Sequence, residues 1–153
     1  MKTVLLLHGL ESAPGGAKAK AIVDAGYKLV NPALPKGSWA DSLDIAQKCV
    51  DEYKPDVIVG SSRGGAAALN ITPGSAALVL IAPAWKTYGS LSATCPKGTV
   101  VLHSKADDIV AYSSSKDLIA ITAGKATLLE VGTDHRMNAP DVHKAMLKAI
   151  AAA

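Results

Sequence analysis

The sequence of 153 residues contains no phenylalanine, only two cysteines, and aromatic residues at 4% of the chain. Any pocket must therefore be built without phenylalanine side chains. The two cysteines, Cys49 and Cys95, form neither a C-x-x-C motif nor a metal-binding cluster, so we expect no metal centre. A disulfide between them is an alternative, but isolated thiols in a reducing compartment are the interpretation we favour.

The chain also lacks clustered charge and long apolar runs. Its net charge of +3 comes from lysines scattered singly, without the basic clusters and interleaved aromatics of a nucleic-acid-binding surface. No segment is long enough to span a membrane. The apolar run 4–7 stops at His8 and Gly9 with no cleavage site after it, which favours a buried strand over a secretion signal. We expect a cytoplasmic protein with neither nucleic acid nor membrane as a partner.

Short apolar runs alternate with stretches of helical period along the whole chain. The runs are residues 3–7, 27–30, 57–59, 77–81, 99–102 and 126–131, and the helical stretches are 17–25, 39–53, 64–71, 112–123 and 139–152. Runs without polar alternation predict strands covered on both faces, and a helix after each strand predicts a parallel sheet. Residues 83–98 have loop composition. With 49% hydrophobic residues and no repeats, residues 1–153 are expected to form a single α/β domain.

One predicted strand passes into a helix through Gly60, Ser61, Ser62, Arg63 and Gly64, which fit the pattern G-x-S-x-G. This is the pattern of a nucleophile elbow, a sharp strand-to-helix turn with a nucleophilic serine, here Ser62, at its apex. The flanking glycines are expected because a turn this sharp leaves no room for side chains two residues before and after the apex. A glycine-rich turn that only packs or binds an anion is the alternative.

A serine hydroxyl is a weak nucleophile, and it needs a base and a group that orients the base. In the order typical of such elbows, an acid and then a histidine follow the serine, each after a later strand. His135 follows the last predicted strand, and either Asp107 or Asp108 follows the strand before it. His143 is interpreted as a solvated helix residue. Because ligands bind beyond the carboxyl ends of parallel strands, these loops are expected to meet Ser62 there.

Such a site also needs two backbone donors for an oxyanion. The amide of Arg63 follows the serine, and we assign the second donor to Leu10 in the loop after the first strand, where His8 is expected to act as a hydrogen-bonding brace. Because both donors are main chain, the Arg63 guanidinium is expected to be free and exposed. The residues expected to contact substrate or line the opening are Glu11, Trp39, Trp85, Tyr88 and Met137. For the two tryptophans, covering the edges of the core is the alternative.

The stretches "LLLHGLESAPGGAKA", "VIVGSSRGG", "HSKADDIV" and "GTDHRMN" together resemble the α/β-hydrolase superfamily, particularly its small lidless esterases of the YqiA and RBBP9-like type. The resemblance implies a minimal α/β-hydrolase fold: about six mostly parallel strands, helices on both faces and no cap domain. It implies Ser62, Asp107 and His135 as a triad, since the acid loop of these proteins reads Asp, two residues, then Val. It also implies an oxyanion hole formed by the amides of Leu10 and Arg63.

The resemblance further implies a serine hydrolase. A chain without room for a lid has an open site, so we expect cleavage of small or short-chain carboxylic esters through an acyl-serine intermediate, without metal or cofactor. The same machinery is compatible with thioester or amide cleavage. A hydrolase-fold module that binds a ligand or protein with little turnover is the alternative of another class. We make no prediction of the oligomeric state.

Overall fold

The structure is a computed structural model that describes residues 1–90 and 94–153. In sequence order these residues form β1 (Thr3–Leu7), α1 (Ala17–Asp24), β2 (Lys28–Val30), α2 (Trp39–Tyr53), β3 (Val57–Ser61), α3 (Arg63–Leu69), β4 (Ala77–Ile81), β5 (Thr99–His103), α4 (Tyr112–Ile121), β6 (Ala126–Glu130) and α5 (Pro140–Ala152). The six strands pair in the order β2-β1-β3-β4-β5-β6. Every neighbouring pair is parallel, which confirms the predicted sheet.

The observed elements differ from the predicted ones at their ends. Strand β3 continues to Ser61, which pairs with Ile81, and β5 continues to His103, which pairs with Glu130. A search for hydrophobic runs misses these polar residues, because the backbone hydrogen bonds between strands, and not the polarity of the side chains, decide where each strand ends. In the predicted loop 83–98, residues 83–90 and 94–98 form neither helix nor strand, and residues 91–93 lie outside the described part. None of the described helices is both long and apolar enough to cross a membrane.

The sheet separates two apolar layers, because alternate residues of a strand point to opposite faces. Helices α2, α3 and α4 cover one face, where the buried strand residues include Leu5, Leu7, Ile58, Leu78, Leu80 and Val101. Helices α1 and α5 cover the other face, over Val4, Leu6, Val57, Val59, Val79 and Ile81. The edge strands are less covered than predicted: Leu129 of β6 is 42% exposed, because only one neighbouring strand and part of a helix pack against it.

Helix α3 approaches the sheet so closely that glycine alone fits at its start. A Cβ atom on Gly64 would lie 2.0 Å from the carbonyl oxygen of Leu7, and one on Gly60 would lie 2.5 Å from the carbonyl oxygen of Gly64. Between them, Ser62 has φ 55° and ψ −115°, a conformation that costs a residue with a side chain about 1–3 kcal/mol. The turn is held because the Ser62 amide donates to Ile81 at 2.8 Å and its carbonyl accepts from Ala84 at 3.0 Å.

Replacing Gly64 with alanine should therefore destabilise the fold strongly. Its new methyl group would clash with backbone atoms of β1, which cannot move without breaking the sheet. We expect the free energy of unfolding to fall by at least about 2 kcal/mol in urea denaturation. Gly37→Ala is the matched control, because a Cβ there has no atom within 4 Å. Equal stability changes in the two variants would contradict the proposed close approach.

Candidate active site

Three side chains from three strand ends meet at the carboxyl edge of the sheet. Ser62 follows β3, Asp107 follows β5 and His135 follows β6. The Oγ atom of Ser62 lies 2.9 Å from Nε2 of His135, and Nδ1 of His135 lies 2.7 Å from Oδ2 of Asp107. Because a carboxylate accepts, Nδ1 carries the proton and Nε2 is left free to accept from the serine hydroxyl. The arrangement can therefore move a proton from Ser62 to His135.

The Asp107 carboxylate is fully buried and accepts from four groups. Its Oδ1 atom accepts from the amides of Ile109 and Val110, both at 2.8 Å. Its Oδ2 atom accepts from His135 and from Nε2 of His103, the latter at 3.0 Å. Burial raises the pKa of Asp107, but the hydrogen bond from His135, those from the two amides and the charge of His135 outweigh it, so the pKa lies below its ordinary value. The carboxylate is thus ionised and fixed.

His103 is a residue of this site that the sequence analysis missed. It is fully buried at the end of β5, and its Nδ1 atom accepts from the Ser115 hydroxyl at 2.6 Å while Nε2 donates to Asp107 and to the Val110 carbonyl, both at 3.0 Å. It is a positioning residue because it acts on the acid and does not reach Ser62. A polar ring at the end of an otherwise apolar strand was the available signal. The alternative acid, Asp108, is exposed to solvent.

The loop after β1 lies beside Ser62 at the cleft. A Cβ on Gly9 would lie 3.3 Å from the Ser62 Cβ, which shows how closely the loop before Leu10 packs on the serine. Leu10 and Arg63 both line the cleft. Within residues 1–90 and 94–153, neither amide has a hydrogen-bond acceptor. His8 braces this loop, since Nδ1 donates to the Gly9 carbonyl at 2.7 Å and Nε2 accepts from the Leu34 amide at 2.9 Å.

The cleft around Ser62 has a volume of about 660 Å³. Glu11 and Tyr88 line it, and the Asp107 loop adds Ile109, which is 71% exposed. Trp39 lies one layer behind, stacked on Tyr88 with ring centroids 5.2 Å apart. The described residues contain no group of three or more side chains arranged to hold a metal ion.

Two residues predicted at the opening lie in the core instead. Trp85 is 3% exposed, and its indole N–H donates to the Ser114 carbonyl at 2.8 Å, which ties the loop after β4 to helix α4. Met137 is fully buried against Gly132, where a Cβ would lie 2.8 Å from the methionine sulfur. Both side chains point into the core, where the burial of their apolar surface stabilises the loops that carry them. Met137 thereby fixes the loop that carries His135.

The Arg63 guanidinium is buried, contrary to the exposed position expected. The residue is 3% exposed, and its terminal nitrogens donate to the Ser42 hydroxyl at 3.1 Å and the Pro35 carbonyl at 3.2 Å. Its Cζ atom lies 5.3 Å from the Trp39 ring and 5.4 Å from the Tyr88 ring, within the range of cation–π attraction. Among the residues that the structure describes, its Nε atom has no hydrogen-bond partner. The side chain is therefore not free to vary: it joins the elbow to α2 and to the cleft wall.

No protein-family model matches the sequence, and no curated protein matches it. Solved structures do match. Alpha/beta hydrolase domain-containing protein 10 from mouse has a TM-score of 0.77 at 17% identity, over 98% of this chain and 88% of that chain. Est1E from Butyrivibrio proteoclasticus has a TM-score of 0.76 at 15% identity, with the same coverage of 98% and 88%. The esterase domain of a Rhodothermus marinus protein has 0.72 at 18% identity, over 99% and 84%. These likenesses are of fold, and the described residues form a minimal α/β-hydrolase fold without a cap domain, as predicted.

Replacing Asp107 with asparagine should change the pH dependence of stability. Because the pKa of Asp107 is lowered in the folded state, its stabilisation is present above the unfolded pKa of about 3.9 and is lost as pH falls through the lower folded value. At pH about 7 we expect Asp107→Asn to lose about 1–3 kcal/mol of unfolding free energy, and this deficit should narrow below pH about 4.

Urea denaturation from neutral to acidic pH measures this deficit. Asp108→Asn removes an equal charge from the exposed neighbour and should stay within about 0.5 kcal/mol of wild type. A deficit for Asp107→Asn that does not depend on pH, or one that Asp108→Asn shares, would contradict the assignment.

Proposed function

We propose that this protein is a serine hydrolase that cleaves small or short-chain carboxylic esters, of the small lidless YqiA and RBBP9-like type. The observation that carries the proposal is the chain of contacts from Ser62 through His135 to Asp107, at 2.9 Å and 2.7 Å. A strained backbone at Ser62 adds to this support, because such strain persists where a side chain must be presented at a site.

Acylation begins when the Ser62 Oγ attacks the ester carbonyl carbon. His135 Nε2 takes the hydroxyl proton, and the carbonyl oxygen becomes an oxyanion that the amides of Leu10 and Arg63 stabilise. The intermediate collapses when the bond to the leaving oxygen breaks and His135 returns its proton to that oxygen. The alcohol departs and leaves an acyl-Ser62 ester.

Deacylation repeats these steps with water as the nucleophile. His135 takes a proton from water, the hydroxyl attacks the acyl carbonyl, and the bond to Ser62 Oγ breaks as His135 protonates that oxygen. The carboxylic acid is released and the serine is restored. Throughout, the buried Asp107 carboxylate stabilises the imidazolium and holds the ring by Nδ1. The cycle consumes one ester and one water and needs no further reactant.

The open cleft is the support for small substrates. Atoms of an acyl chain too long for the cleft of about 660 Å³ would stay in water and gain little. We propose a small-molecule ester as the partner and the cytoplasm as the location. Cys49 and Cys95 are free thiols in the structure, which is compatible with that location.

Ser62→Ala and His135→Ala should each abolish ester hydrolysis. With p-nitrophenyl butyrate, kcat/KM is expected to fall by at least about 10,000-fold in either variant, because the two residues act as one unit. A fluorophosphonate probe should label the wild type at Ser62, as located by peptide mass spectrometry, and should leave Ser62→Ala unlabelled.

Ser61→Ala is the matched control, since it removes the adjacent hydroxyl, which makes no hydrogen bond to His135. Wild-type protein that neither hydrolyses an ester nor reacts with the probe would overturn the proposal and favour a binding module. Turnover of thioesters or amides but not esters would keep the serine mechanism and correct the substrate class.

The acyl-chain dependence tests the preference for short substrates. A cleft that buried the whole chain would raise kcat/KM about fourfold per added methylene, from about 0.8 kcal/mol each. We expect no such gain from p-nitrophenyl butyrate to the octanoate, and the acetate should be hydrolysed at a rate comparable to the butyrate. Steady-state kinetics below the micelle-forming concentration measure this series. A steady rise up to octanoate would indicate a long acyl site and contradict the preference.

A further inference from the structure

Lys18, the second residue of α1, is a half-buried cation whose partners are all neutral. Its Nζ atom donates to the Arg136 carbonyl at 2.8 Å and to Oδ1 of Asn138 at 3.0 Å. An ammonium group has three N–H donors, so one remains. In the part of the chain that the structure describes, no carboxylate lies within ion-pair distance of it. The side chain therefore holds a spare donor and a charge that no contact neutralises.

Lys18 lies where two cavities meet. It lines the cleft that contains Ser62 and His135, and it also lines an adjoining cavity of about 310 Å³ along the loop before α1. Ser12 and Asn138 belong to both linings as well. A molecule that extends from the cleft into the smaller cavity would therefore cross a boundary to which Lys18 contributes.

The position of Lys18 relative to His135 identifies which part of a substrate it would meet. In the proposed reaction, His135 Nε2 protonates the leaving oxygen, so the leaving group lies against His135 and the acyl group lies away from it. Lys18 is hydrogen-bonded to the carbonyl of Arg136, the residue that directly follows His135. The ammonium group is thus held against the loop that carries His135, and we infer that it meets the leaving portion of a substrate.

The charge of Lys18 is not cancelled by the other residues that line the cleft. Besides Lys18, the charged residues of the lining are Arg136, Glu11 and Arg63. The Arg63 guanidinium is buried and donates to Ser42 and Pro35, so its charge does not face this side of the cleft. Burial lowers the pKa of Lys18 to about 8, against the opposing effect of the Asp134 carboxylate, so the group is still mostly charged at neutral pH. The same charge, with burial as the larger cause, lowers the pKa of His143.

We propose that the substrate carries an anionic group, a carboxylate or a phosphate, on its leaving portion, and that Lys18 binds this anion. The inference rests on the proposed ester hydrolysis, because that reaction defines the leaving-group side. Lys18 is then a specificity residue: it supplies a charge-assisted hydrogen bond to a group several atoms from the scissile bond. Neutral test esters would lack this contact, and they would bind more weakly than the natural substrate.

Kinetics on paired esters test the proposal. One pair is the butyrate of 4-hydroxybenzoate and that of 4-hydroxybenzamide, whose leaving groups are alike in shape but differ in charge. A second pair is the butyrate of 4-hydroxyphenyl phosphate and that of 4-methoxyphenol. In the wild type we expect the anionic member of at least one pair to have the higher kcat/KM by about tenfold, mainly through KM. The pair that shows the effect identifies the anion.

Substitutions at Lys18 then test whether this residue causes the preference for the anionic ester. Lys18→Met should lower the ratio of anionic to neutral kcat/KM by about tenfold, and Lys18→Arg should retain more of it than Lys18→Met. Lys20→Met is the matched control: it removes an exposed lysine of the same helix that pairs with Asp24, and the ratio should not change. Equal rates for both members of each pair in the wild type, or equal effects of Lys18→Met and Lys20→Met, would overturn the inference while ester hydrolysis stands.

A binding measurement separates this inference from the proposed reaction. By isothermal titration, 4-hydroxybenzoate or phenyl phosphate should bind wild-type protein about tenfold more tightly than 4-hydroxybenzamide. Lys18→Met should remove the difference. If no ester is hydrolysed and Ser62 is not labelled, but the Lys18-dependent anion binding is found, the reaction is wrong and the anion site stands. Absence of that preference in both binding and kinetics refutes the site.

Discussion

The contact between helix α3 and strand β1 is the constraint on which the rest of the structure depends. Gly64 lies so near the Leu7 carbonyl that no side chain fits, and this places the start of α3 directly over the centre of the sheet. Ser62 must then turn within one residue, in a conformation that L-amino acids rarely adopt. Because β1 and β3 are neighbours, the loop after β1 lies beside the same serine. A packing requirement thus brings Ser62 and the loop that contains Leu10 together.

The acid side of the site is built on a different principle, hydrogen-bond saturation. The buried Asp107 carboxylate accepts from two amides and two imidazoles, so its geometry does not depend on any single donor. His135 is held by its hydrogen bonds to Asp107 and Ser62 and by its own loop, whose buried anchor is Met137. Asp107 is fixed by hydrogen bonds, the His135 loop by the buried Met137 side chain, and Ser62 by its strained turn. In each case the side chain is held in place before any ligand binds.

Much of this arrangement follows from the sequence. The strand runs and the order Ser62, Asp107, His135 place polar loops at one sheet edge, because parallel strands all end there. The roles of His103 and Arg63 could not be read in the same way, since each depends on contacts between distant elements: His103 with Ser115 of α4, and Arg63 with Trp39 of α2. Spacing along the chain carries no signal for such contacts. Trp85, like Met137, shows the same limit, because a large apolar residue after a strand can turn towards solvent or towards the core.

The dispersal of the site along the chain has a consequence for folding. Its parts come from the ends of four strands, and the base comes from the last of them, the edge strand β6, which pairs with β5 alone. A partly folded chain in which β6 and α5 had separated from the sheet would still contain the turn at Ser62 and the Asp107 loop, but Ser62 would lack its hydrogen bond to His135. The contact between Ser62 and His135 is therefore a property of the completed sheet, and it forms only when the final strand has docked.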